Sequence, residues 1–147
     1  MKMGKHKYFE LAEFTSSREA KKRGIDNTPS FEVVEHLNEL VDNFLDPLRA
    51  AYGMPIRISS GYRCPELNKA VGGVVTSAHM TGYAADLQVG GSFSKFCEFV
   101  VDWVKKTGTK FDQILLESKK ATGDKWLHVG LYNNQRQQRA QIKIMAV

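Results

Sequence analysis

Apolar residues recur at helical spacing from Phe31 through Val34, Leu37, Val41, Phe44 and Leu45 to Leu48, which predicts one long amphipathic core helix. Thr28 followed by Pro29 supplies its N-cap and first-turn proline. Pro47 lies inside the pattern and predicts a kink or an early end, because proline brings no backbone donor. A shorter helix precedes it, with Ser16 and Glu19 at capping-box spacing and Gly24 to close it. After Gly53 the period becomes alternating: Ile56 and Ile58 against Arg57 and Ser59. From Ala84 to Val89 the alternation sets Ala84, Asp86 and Gln88 on one face of a strand and Ala85, Leu87 and Val89 on the other. Ser92 then caps a helix carrying Phe93, Phe96, Val100, Trp103 and Val104, ended by Gly108. FDQILLE and KWLHVGLY read as two strands of an antiparallel hairpin, joined by the polar loop from Ser118 to Asp124. Helices followed by antiparallel strands predict an α+β fold, a small antiparallel sheet with helices packed on one side.

Composition narrows the function classes. At 147 residues, 42% hydrophobic and 25% charged, the chain fits one domain spanning 1–147 and excludes disordered, collagen-like and coiled-coil classes. A formal charge of +5 favours encounter with polyanions, or is simply a solvated basic surface. Cys64 and Cys97 are too few and too far apart for a disulfide scaffold or a thiolate zinc module, and read as inert thiols. There is neither a signal-length apolar stretch near the start nor a run of about 20 apolar residues anywhere. Synthesis in the cytoplasm without an export signal, and no membrane span, are the expectations.

Among four histidines, His6 lies in a lysine-rich tail and His36 on the core helix without a partner at i+4, so both read as solvent-facing or ordinary residues. His79 stands seven residues before Asp86, with Ala78, Gly82, Ala84 and Ala85 as small neighbours that let backbone pass close to an ion. On the last hairpin Trp126, His128 and Gly130 share a face. Two imidazoles and one carboxylate make a three-ligand zinc set with a fourth position open to water, although this spacing alone is weak evidence for a metal.

The segments SGYRCPELNKAVGG, SAHMTGYAADL and WLHVG, in that order, resemble the D-alanyl-D-alanine zinc peptidases, the group of the vancomycin-resistance carboxypeptidases and dipeptidases and several phage endolysins. FELAEFTSSREAKKRGIDNTP and LNELVDNFLDPLRAAYGMPIRISSGYR are similar to its compact members. The likeness runs from Tyr8 to about Tyr132 and leaves 1–7 and 133–147 as tails; its most specific piece is Ser77, His79, Gly82, Ala84 and Asp86. The resemblance implies one zinc ion on His79, Asp86 and His128, with Arg63 orienting substrate or stabilising an oxyanion and Ser77 touching the peptide. For Arg63 a structural ion pair is the alternative, and for Ser77 a local cap.

One position departs from the pattern. Many relatives carry a catalytic Glu three residues before the last histidine, where this chain has Lys125. Glu117 is the candidate base instead, because Phe111, Gln113, Leu115 and Glu117 alternate onto one face of the neighbouring strand; Asp124 is the reserve. Gln113 on that face is a candidate for hydrogen bonding to substrate, and Tyr83, like Tyr62, a candidate for lining the cleft or packing the core. Cys64 replaces a more usual serine and is read as packing, and Trp126 as a brace for the histidine strand. The expectation is a monomeric zinc peptidase acting on peptidoglycan stem peptides, as a carboxypeptidase or endopeptidase, reaching the wall after release in the manner of a phage lysin. A non-catalytic zinc module like the hedgehog signalling domain is one rival. A basic nucleic-acid binder is another, for which no recognition motif is present.

Overall fold

The structure is a computed structural model, and it describes residues 6–146. Helices α1 (Leu11–Thr15), α2 (Arg18–Arg23), α3 (Phe31–Leu40) and α4 (Asp46–Tyr52) lead into strand β1 (Arg57–Ser60). Then follow α5 (Pro65–Ala70), a 3-10 turn (Ala78–Met80), β2 (Ala84–Gln88), α6 (Phe93–Thr107), β3 (Gln113–Ser118), β4 (Lys125–Gly130) and β5 (Gln141–Ala146). The five strands lie in the order β1-β2-β4-β3-β5, antiparallel throughout except that β5 runs parallel to β3. The expected α+β architecture is therefore present.

One face of the sheet makes the core. Ala85 and Leu87 of β2, Leu127 and Val129 of β4 and Ile114 of β3 pack against Leu37, Leu40 and Phe44 from the long helical segment and Phe96, Val100 and Val104 from α6. Alternation then turns Asp86, His128, Gln113, Leu115 and Glu117 to the opposite face. Burial of the apolar parity thus fixes the register that presents the polar one.

Several boundaries differ from the sequence reading. The first helix is two: α1 is headed by Glu10 in a capping box with Glu13, and Ser17, not Ser16, caps α2 by accepting from the Ala20 N–H. Ser30 rather than Thr28 caps α3, accepting from Val33. Pro47 does not break the long helix. The segment Val41–Leu45 widens into a π turn in which the Asp46 N–H reaches the Val41 carbonyl, and Pro47 falls in the first turn of α4, where its missing donor costs nothing. The Ser92 cap and the left-handed Gly108 stand as expected around α6.

The addition that the pattern did not announce is β5. Its partner β3 is distant in sequence, and the polar run NNQRQQRAQ before it reads as loop. Besides its ladder with β3, the strand is fastened at its entry by a buried carboxylate: Asp112 accepts from Arg139 Nε at 2.8 Å, from Arg139 Nη2 at 2.9 Å and from the Arg139 backbone N–H at 3.1 Å. No described helix is long and apolar enough to cross a membrane.

Candidate metal centre

Strand register and one tight turn bring three ligand atoms together. Asp86 on β2 stands directly across from His128 on β4. His79 arrives on the 3-10 turn, whose cap Ser77 accepts from the His79 N–H at 3.2 Å. Gly82 makes the return to β2 possible: its φ is +87°, and a Cβ there would meet the Val33 carbonyl oxygen at 2.8 Å. Gly61 is equally constrained, since a Cβ would fall 2.5 Å from the Phe14 backbone. Its carbonyl faces His79 Nδ1 at 2.7 Å, which puts the hydrogen on Nδ1 and leaves the Nε2 lone pair aimed inward.

His79 Nε2, Asp86 Oδ1 and His128 Nδ1 form a nearly equilateral triangle with edges of 3.2, 3.1 and 3.2 Å. Tetrahedral zinc with bonds of about 2.0–2.1 Å sets its ligands about 3.3–3.4 Å apart, so these residues fit the ion with little adjustment. All three are buried. Burial works to raise the Asp86 carboxyl, but the two imidazoles outweigh it and hold it well below the ordinary carboxylate range. Two nitrogens and an anionic oxygen converging in a low-dielectric site ask for a cation.

The neighbours sort by distance from this triangle. Arg63 follows β1, its backbone N–H on the His79 carbonyl at 3.1 Å and its Nη2 donating to Ser77 Oγ at 3.3 Å. Arg63 Nε is buried with no hydrogen-bond partner among the described residues. Burial lowers the guanidinium's pKa, against the opposing pull of Asp86 and Glu117. Ser77 therefore caps the turn and touches Arg63 at once. Glu117 Oε1 lies 3.9 Å from His128 Nδ1 and accepts from Trp126 Nε1 at 3.2 Å, so Trp126 braces the carboxylate beside the triangle. Gln113 shares that face, its amide donating to Gln141 Oε1 at 2.9 Å.

Other candidates stand apart. Asp124 is in the exposed hairpin turn, bonded to Thr122 Oγ1 at 2.9 Å. Lys125 shares its parity with Leu127 and Val129, so the position that departs from the family pattern faces away from His128. Tyr83 shares the core parity of Ala85 and Leu87. It is buried, its hydroxyl donates to Glu39 Oε1 at 3.1 Å and accepts from Arg136 at 2.7 Å, and its ring stacks on His36 at 4.1 Å. Of the two roles considered for Tyr83, the geometry is that of core packing, not of a cleft wall. Tyr62 is in the core cluster too. Cys64 is half-buried, and the buried Cys97 thiol is pushed up to about 11 by desolvation. His6 is not solvent-facing: its ring is buried against Asn38, Asp42 and Asp46.

Sequence reasoning missed Asn27. Its Nδ2 donates to the Thr15 and Tyr62 carbonyls at 3.0 Å each, and its Oδ1 accepts from the Cys64 N–H at 2.8 Å. It ties α1 to both sides of Arg63, and an asparagine two residues before Pro29, in the loop between α2 and α3, was the available signal. A surface cleft of about 640 Å³ opens between α6 and the β3 and β5 strands on the core side of the sheet, lined by Phe93, Cys97, Val101, Leu116 and Ile144. The triangle is on the other face.

Comparison with known proteins gives the family. The family model described as Peptidase M15 matches residues 7–122, which takes in His79, Asp86, Arg63 and Glu117 and stops short of His128. No curated protein matches the chain.

Proposed function

We propose, on the premise that this chain belongs to the peptidase M15 family of D-alanyl-D-alanine zinc metallopeptidases, that it hydrolyses peptidoglycan stem peptides, with Glu117 as general base and Arg63 as the substrate's anion site. His79, Asp86 and His128 are the residues that would hold the zinc ion. Bound there, zinc supplies a Lewis acid for the scissile carbonyl and lowers the pKa of water toward neutrality. Glu117 takes the proton of the attacking water and returns it to the leaving amine. Its Oε1, the oxygen 3.9 Å from His128 Nδ1, accepts from the Trp126 N–H, which orients the carboxylate for this role. Arg63 offers its unused Nε–H to a carboxylate or to the developing oxyanion, held in place by Ser77.

The observation that carries the reading is the 3.9 Å approach of a half-buried carboxylate to an otherwise closed His-Asp-His triangle. A half-buried guanidinium whose Nε has no hydrogen-bond partner among the described residues suits a free C-terminal carboxylate and so favours removal of a terminal D-alanine over cutting of a cross-link. The basic surface assists approach to an anionic wall, as in an endolysin, without setting bond specificity.

Mass spectrometry of purified muropeptides, with and without chelator and alongside His128→Ala, tests the proposal. Loss of one D-alanine that vanishes in both controls is the expected result. Splitting of cross-linked dimers instead means an endopeptidase. Zinc binding with an unchanged muropeptide profile overturns the enzymatic reading in favour of a zinc-stabilised binding module.

A further inference from the structure

The two sides of the metal triangle are built differently. On the β1 side the chain from Gly61 to Gly82 carries Arg63, Ser77 and His79 as one wall, joined where the Arg63 N–H meets the His79 carbonyl. On the other side the sheet continues as a shelf, through β3 and then β5. The register sets one row straight across it: Asp86 opposite His128, His128 opposite Leu115, and Leu115 opposite Lys143. Partners in a ladder share a face, so Lys143 stands on the metal-bearing face at the far end of the row from Arg63. Lys143 is exposed and makes no ion pair among the described residues. The next row, Trp126, Glu117 and Met145, adds an apolar contact from β5 beside the base.

Strands about 4.8 Å apart put the Lys143 Cα roughly 10 Å from that of His128, the span of about three residues of extended chain. If the carboxyl end of a substrate meets the wall at Arg63, its amino-side residues run out over this shelf. We propose that β5 is the amino-side substrate shelf and that Lys143 is a specificity-determining residue, pairing with a free carboxylate two or three residues to the amino side of the scissile bond. The ligand class is an acidic peptide whose side-chain or backbone-branch carboxylate is not amidated. This inference rests on the peptidase reading above and adds the feature of the substrate that is read beyond the cut. The strand that supplies it, Gln141–Ala146, lies outside the matched family segment.

Two synthetic stem pentapeptides test it, identical except that the second residue carries either the D-glutamate α-carboxylate or its carboxamide. Hydrolysis by the zinc-loaded enzyme and equilibrium binding to the Glu117→Gln protein are both measured. The expected preference for the carboxylate peptide is about three- to five-fold, the size that an exposed ion pair gives, expressed in KM and in the binding constant and weakened by added salt. Lys143→Arg keeps it, Lys143→Gln abolishes it, and Lys143→Glu inverts it. A preference that survives Lys143→Gln and Lys143→Glu overturns the role of Lys143 while leaving the peptidase reading intact. Failure of the wild-type protein to bind or cut either peptide overturns the peptidase reading and the shelf with it.

Discussion

Two clusters in this molecule have nearly the same composition. His79, Asp86 and His128 make one; His6, Asp42 and Asp46 make the other. The first joins a turn and two paired strands, with edges equal within 0.1 Å and the free nitrogen of His79 fixed by the Gly61 carbonyl. The second joins residues four apart across the π turn to the start of the chain, and its edges are unequal: His6 Nδ1 lies 2.9 Å from Asp42 and 3.8 Å from Asp46. The ring's other nitrogen faces Asn38 Oδ1 at 2.7 Å, and Asp46 Oδ2 already accepts from the Lys7 N–H. Asp42 is 63% exposed. His6 Nδ1 and Asp46 Oδ1 are buried without a hydrogen-bond partner among the described residues, while the bonds to Asn38 and from the Lys7 N–H make the cluster a clasp for the N-terminal segment. The two clusters differ in frame: paired strands and a 3-10 turn hold three buried ligand atoms at ion spacing, whereas the second cluster has unequal edges and an exposed carboxylate.

That contrast breaks most visibly under substitution of one histidine from each cluster. His128→Ala weakens zinc by more than about 100-fold, beyond what loss of an outer-shell partner costs, and removes hydrolysis with it. His6→Ala leaves zinc at one ion per chain. Metal analysis after dialysis reads both, and a second ion lost on His6→Ala would contradict the distinction. Next in size is Glu117→Gln, which keeps the zinc and lowers kcat by about 10²–10⁴-fold, as removal of a general base does. Equal loss of zinc and turnover in that variant would make Glu117 a ligand instead.

The same comparison explains what could be read in advance. His79, Asp86 and His128 were legible because glycine and alanine spacing, strand alternation and motif wording all act locally. The helix around Pro47 was misjudged because a π turn absorbs the missing donor, and no periodicity signals that. Strand β5 was hidden because its pairing is parallel and non-local and its anchor is a side-chain ion pair. Tyr83 was ambiguous by sequence because its neighbours line the site; only the parity of β2 and the Glu39 and Arg136 contacts turn it toward the core.

Positioning of the wall can be weakened without touching a ligand. Gly61→Ala drives a methyl into the Phe14 backbone and pushes the carbonyl off His79, at a cost of about 1–3 kcal/mol and with weaker zinc. Asn27→Ala removes three hydrogen bonds, two of them to the residues flanking Arg63, costing about 1–3 kcal/mol, and raises KM more than it lowers zinc affinity. Denaturant unfolding and zinc titration of the two variants separate these effects. Equal zinc affinity in Gly61→Ala and wild type would mean that the Gly61 carbonyl does not orient His79.

The smallest effect concerns the shelf, and its pH dependence has a definite sign. Burial acts to raise the Asp112 carboxyl, but the hydrogen bonds from the Arg139 side chain and backbone, with its charge, hold it below the ordinary carboxylate value. The unfolded chain, with a pKa of 3.8 at this position, therefore binds the proton more readily than the folded one. The contribution of the pair is complete above that value and is lost as pH falls through the lower folded one. With Arg139 partly exposed, the pair is worth about 1 kcal/mol. Asp86 is depressed in the same direction, so the total pH profile cannot isolate Asp112, whereas the difference between wild type and Asp112→Asn does. Measured in chelator from pH 7 down to pH 2, the gap in Tm should stay constant to about pH 5 and close below pH 4. A gap that widens on acidification would mean that the carboxylate is not what fastens β5 to β3, and the shelf beside the metal would need another anchor.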